Sequence, residues 1–277
     1  MEYSIEKNLT NFDETRLKCM IESQLDFLGN YFRVDEYDKE LIFSFYNEEN
    51  RISEAVDNEI TVNIRKDINS KLRKEFVNIV IRHELTHLLT LKWGYPIPLF
   101  FEGTAIYYAD NKIREKRMGY NYQNLCRSFL ENDVLIPLED YILPRKFYYN
   151  QTDFRILLEA GSFWGFITDR FGFDRAKRIY TDYEPPTIDN PVIRINPVLE
   201  SIFGKNLSDL ENIWKNYLKS EAEEISEVTE KYSKEYFENT DFGHALIHCN
   251  ICHHPIKKGQ KKCPDCGAYR KIGIKVV

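Results

Sequence analysis

Apolar residues recur along this chain with two different periods, and the change of period divides it into elements. Leu17, Met20, Ile21, Leu25 and Leu28 stand three and four residues apart, which predicts a helix over 10–29. Two β-type runs follow, Leu-Ile-Phe-Ser-Phe-Tyr at 41–46 and Glu-Ile-Thr-Val-Asn-Ile at 59–64, the second alternating polar and apolar. The charged stretch 47–58 between them is turn-like. A strand just before the next helix either offers an open edge to an extended peptide or is an ordinary sheet strand. Helical period returns over 70–92, and Trp93-Gly94-Tyr95-Pro96 closes that helix. A second helix then reaches about Arg117. Further on, 153–171 reads as an apolar helix and 174–183 as a shorter one stopped by Glu184-Pro185-Pro186. Pro191 and Pro197 predict an irregular stretch after it. Ser208-Asp209-Leu210-Glu211 has the form of a capping box and predicts a long helix carrying Trp214, Tyr217 and Leu218. The acidic, polar run 221–238 reads as a solvated helix entering a linker.

Composition supports a packed core rather than disorder: of 277 residues, 43% are hydrophobic and 14% aromatic. That length suits one main domain with an appendage. A formal charge of −6 argues against the chain as a whole binding nucleic acid. The first residues, Met1 to Lys7, contain no apolar h-region, and no window resembles a membrane span. Cys19 and Cys126 are isolated, whereas the other four cysteines crowd near the C-terminal end. Such crowding points to metal binding in a reducing compartment rather than to disulfides, and predicts a cytoplasmic protein without a membrane partner.

The chemistry is concentrated in Val80-Ile81-Arg82-His83-Glu84-Leu85-Thr86-His87-Leu88-Leu89. On a helix, residues four apart share a face, so His83 and His87 can grip one metal ion. Glu84 projects beside that face, where a carboxylate can take a proton from a water that the metal has acidified. Six histidines occur in the chain, and the other four lie at the C-terminal end. A zinc that keeps one position open for water needs a third protein ligand, so a carboxylate is the economical choice. Glu102 is best placed, at a helix start one short loop later, with Gly103 and Ala105 small enough for two helices to approach around an ion. Asp110 and Glu115 are the alternatives, each a turn or more further on.

His-Glu-Leu-Thr-His followed by Pro-Leu-Phe-Phe-Glu-Gly-Thr-Ala resembles the gluzincin metallopeptidases, the clan of thermolysin and the zinc aminopeptidases. Within that clan it is most similar to the soluble peptidase MA-like branch, in which Pro-x-Trp-x-x-Glu-Gly-x-Ala follows the histidine motif; Leu99 or Phe100 stands here where that family usually has Trp. Residues 159–172 also resemble the family's Gly-Ser-Phe helix, and 203–214 its closing Gly-x-x-x-x-x-Leu-x-x-x-Trp helix, so the likeness spans about 40–220. It implies an α+β protein with a zincin-like metallopeptidase domain over 1–220, a small sheet plus a mainly helical remainder. It also implies Glu102 as third ligand and a Tyr or His to stabilise the oxyanion. Tyr149, with Tyr148 beside it, is the candidate for that role.

After a linker over 221–243, the stretch 244–277 carries Cys249-x-x-Cys252 and Cys263-x-x-Cys266. Two such knuckles make a closed tetrahedral thiolate site, and predict a zinc ribbon with one structural zinc beside the catalytic one. From His244 onward seven basic residues face a single acid, Asp265, so the ribbon could touch an acidic partner or nucleic acid. Alternatively, the lysines offset the thiolate charge and keep the module soluble. The expected activity is zinc-dependent hydrolysis of a peptide or protein substrate, with Glu84 as general base. One rival is an SprT-like DNA-associated protease, which would use a third His. The other is a non-catalytic, zinc-stabilised module that binds a partner or nucleic acid.

Overall fold

The computed structural model describes residues 3–7, 14–33, 40–46, 53–56, 58–63, 70–118, 122–142, 154–186 and 192–220. Tyr148, Tyr149, the 221–243 linker and the tail with Cys249, Cys252, Cys263 and Cys266 lie outside these described residues. Within them the protein is α+β, a small mixed sheet with a mostly helical remainder. They fall into two compact units, one within Met1–Leu89 and the other within Thr90–Glu238.

The first unit is built on a four-stranded sheet of order β1-β2-β4-β3, from β1 (Tyr3–Lys7), β2 (Leu41–Tyr46), β3 (Glu54–Val56) and β4 (Glu59–Asn63). β1 and β4 flank β2 in parallel, with Ile5 opposite Phe43 and Phe43 opposite Ile60. β3 lies antiparallel on β4, pairing Ala55 with Ile60. Ile60 and Val62 thus share one face of β4 as the alternation foresaw, although Thr61 on the other face is buried as well. Among the described residues β4 is paired on both sides, and the edge strands are β1 and β3. Leu41, Phe43 and Phe45 of β2 share a buried face with Ile60 and Val62 of β4. Helix α1 (Glu14–Phe32) buries the predicted stripe of Leu17, Met20, Ile21, Leu25 and Leu28. Helix α2 (Ser70–Leu91) buries Val77, Ile81, Leu85 and Leu88 at the same spacing, which sets which face its polar residues occupy.

The second unit is helical: α3 (Pro98–Met118), α4 (Tyr122–Glu131), a 3-10 turn (Leu138–Tyr141), α5 (Phe154–Phe171), α6 (Phe173–Asp182), α7 (Ile195–Phe203) and α8 (Leu207–Ser220). α3 lies along α5. Buried rings hold the centre: Phe100 and Phe163 stand 6.0 Å apart, and Phe163 meets Trp214 edge-on at 5.7 Å. The indole of Trp214 donates to Ser162 Oγ at 3.1 Å.

Two expectations fail here. Pro197 does not keep its surroundings irregular but sits in the first turn of α7, where the missing N–H would have had no intrahelical partner. Nor does Ser208 cap α8: that helix already begins at Leu207, and Asn206 Oδ1 accepts the Asp209 N–H at 2.9 Å. Among the described residues, no helix is long and apolar enough to cross a membrane.

Candidate metal centre

His83 and His87 stand one turn apart on α2 with Glu84 between them, and α2 ends soon after at Leu91. Trp93 and Gly94 turn the chain by donating to the carbonyls of Thr90 and Leu91 at 2.9 and 3.1 Å. Gly94 has φ of +135°, a conformation that side chains resist, and a Cβ there would collide with the Tyr180 carbonyl. Pro98 opens α3 at the position where proline suits a helix, and Glu102 follows one turn later. A short corner thus carries the chain from the two histidines to the carboxylate.

Among the described residues, His83, His87 and Glu102 form a group able to hold a metal ion, with ligand atoms all within 4.8 Å of one another. The two Nε2 atoms are 3.1 Å apart and the rings are nearly perpendicular, at 88°. Zinc–nitrogen bonds of 2.0–2.1 Å in tetrahedral geometry put two nitrogens about 3.3 Å apart, so this pair fits one ion. A carboxylate oxygen of Glu102 lies within 4.8 Å of both imidazole nitrogens. His87, Glu84 and Glu102 are buried and His83 is half-buried, so the donors sit where a charge on an ion would be felt strongly.

Neighbouring groups fix the two helices locally. Thr86 donates to the Arg82 carbonyl at 2.8 Å, and Thr104 to the Phe100 carbonyl at 2.7 Å, so each buried hydroxyl is satisfied on its own helix. Arg82, immediately before His83, donates to Gln24 Oε1 at 2.5 Å and stacks over the Phe27 ring at 4.4 Å. Burial lowers its pKa from the ordinary arginine value, but a guanidinium in proteins stays charged. Gly103 is small for a different reason from the one expected. A Cβ there would stand 2.5 Å from the Ala160 carbonyl, so its size serves the contact between α3 and α5.

The structure brings together His83, His87 and Glu102, three of the residues singled out in the sequence. The side chains of Asp110 and Glu115 lie outside those described, although both residues belong to α3. Two polar groups were missed. Glu159 is fully buried, accepts the Tyr141 hydroxyl at 2.6 Å, and shares the Ile136 N–H between both oxygens at 3.3 Å. Beside it, burial first and the Glu159 charge second push the Cys126 thiol far up, which leaves it an inert neutral group. A lone carboxylate among Leu157, Leu158 and Ala160 was the available signal. Tyr180, the second, gave none: it is one of 18 tyrosines. No model of a known protein family matches the chain, and no curated protein matches it either.

Proposed function

We propose that this chain is a zinc-dependent metallopeptidase of gluzincin type, with His83, His87 and Glu102 as ligands and Glu84 as general base. The supporting observation is the convergence of two imidazoles and a carboxylate, with a second buried carboxylate next to His83 in the same helix. A zinc ion bound there supplies Lewis-acid chemistry, acidifying a water and polarising a scissile carbonyl. Glu84 accepts the proton that the attacking water gives up and delivers it to the leaving amine nitrogen. Glu102 completes the ligand set and offsets part of the ion's charge in a buried setting. Tyr149 remains the proposed oxyanion partner on the strength of the resemblance alone, and the tail cysteines the proposed holders of a second zinc.

A carboxylate as third ligand supports this reading over the SprT-like one, which calls for a third histidine. Glu84 supports an enzyme over a purely structural metal module, since a structural site has no use for a buried base beside its ligands. The test is Glu84→Gln, which spares every ligand. We expect unchanged zinc content and a loss of about 10²–10⁴-fold in cleavage of a fluorogenic peptide set. Wild-type rates in that variant would reject the mechanism.

A further inference from the structure

We propose that Tyr180 is a positioning residue for the metal centre: its hydroxyl locks the corner between α2 and α3, and thereby sets where Glu102 stands relative to the histidines. The inference rests on the metal-site reading above. Tyr180 comes from α6, nearly 80 residues beyond Glu102, and is almost fully buried. Its hydroxyl reaches Thr104 Oγ1 at 2.7 Å and the Phe100 carbonyl at 3.1 Å. Phe100 and Thr104 lie two residues before and two after Glu102, so both contacts fall on the turn that presents that carboxylate. One phenol proton serves one acceptor, and the shorter contact selects Thr104, whose own proton goes to the Phe100 carbonyl. Thr90 hydrogen-bonds the same hydroxyl, and it belongs to α2 three residues after His87. A single oxygen therefore ties both arms of the corner.

The ring of Tyr180 supports the same corner. Trp93 packs edge-on against it at 5.6 Å, and Trp164 does so from another side at 5.9 Å. Its backbone carbonyl lies where only the missing side chain of Gly94 leaves room. Burial raises the phenol well above its ordinary value, so the group stays a neutral donor through the working pH range. Hydrogen-bonded partners behind metal ligands fix ligand orientation, and their loss costs about 10–100-fold in metal affinity.

The experiment uses the full chain loaded with Co(II), with the full-length His83→Ala variant as spectral baseline so that the tail cysteines cancel. Affinity at the site comes from chelator competition and geometry from the d–d band. In Tyr180→Phe, which keeps the ring, and in Thr104→Val, we expect weakening by about 10–100-fold with an altered band, and wild-type behaviour in Thr104→Ser. A merely structural role would lower the unfolding midpoint and leave affinity and band of the folded protein as they were; that result in both hydroxyl-deleting variants overturns the proposal. Should Tyr180→Phe fail to fold, the Thr104 pair decides. A wild-type spectrum indistinguishable from the His83→Ala baseline would overturn the metal-site reading itself, and this proposal with it.

Discussion

At the scale of single residues, the centre depends on the order in which donors are needed. The two Nε2 atoms 3.1 Å apart offer two of the four positions of a tetrahedral site, since one helix turn sets their spacing. Two neutral imidazoles would leave a dication uncompensated, and in the proposed site Glu102 would supply both the third bond and a negative charge. Glu102→Gln keeps the shape and one oxygen donor but deletes the charge. Zinc affinity at this site should fall by more than about 100-fold, a larger effect than loss of a supporting hydrogen bond. Competition with a chelator, referenced to His83→Ala, measures it. Unchanged affinity in Glu102→Gln, with loss in Asp110→Asn or Glu115→Gln, would move the third ligand along α3 and remove the basis for the gluzincin reading.

At the scale of elements, α3 and α5 approach through glycines whose neighbours differ in how far they can give way. A Cβ at Gly103 would meet the Ala160 carbonyl at 2.5 Å, a backbone atom fixed within α5. At Gly165 the clash is with the Tyr107 ring at 2.7 Å, and a half-exposed side chain can rotate aside. Gly103→Ala should therefore destabilise by about 3 kcal/mol and Gly165→Ala by about 1 kcal/mol, read from denaturant midpoints at equal m-values. Equal costs would mean that the helices part readily. Because Gly103 follows Glu102, the first substitution should also weaken metal binding, whereas the second should not. What was legible in the sequence follows the same division between local and distant causes. Long periodic stretches gave α1, α2, α3 and α5 with ends within a few residues, and the i, i+4 histidines needed nothing beyond the helix that holds them. β1 and β3, of five and three residues, exist through pairing with β2 and β4, so their own residues carried too little signal. Tyr180 makes its hydrogen bonds to residues nearly 80 positions away, and no spacing rule reaches that far.

At the scale of the whole molecule, the cysteine-rich end differs in composition from the residues before it. Its charge opposes that of the rest: seven basic residues against one acid, in a chain whose net charge is −6. Four thiolates on one zinc would make a closed site that takes nothing from elsewhere, and in so small a module the metal would supply the folding free energy. The stretch leading to it is acidic and polar, poor material for packing against a core. Removing 244–277 should accordingly leave a folded body that binds one zinc, where the full chain binds two, with peptide cleavage retained. Metal content by elemental analysis and a cooperative unfolding transition check both halves of that expectation. An aggregated body, or one that loses the metal at His83, His87 and Glu102, would show instead that the tail is part of the main fold. Binding of the full chain to DNA or RNA, falling steeply with salt and vanishing on truncation, would give the basic tail its partner, because release of counterions from phosphate produces that dependence. Binding insensitive to salt would point away from nucleic acid and leave the lysines as the counter-charge of their own thiolates.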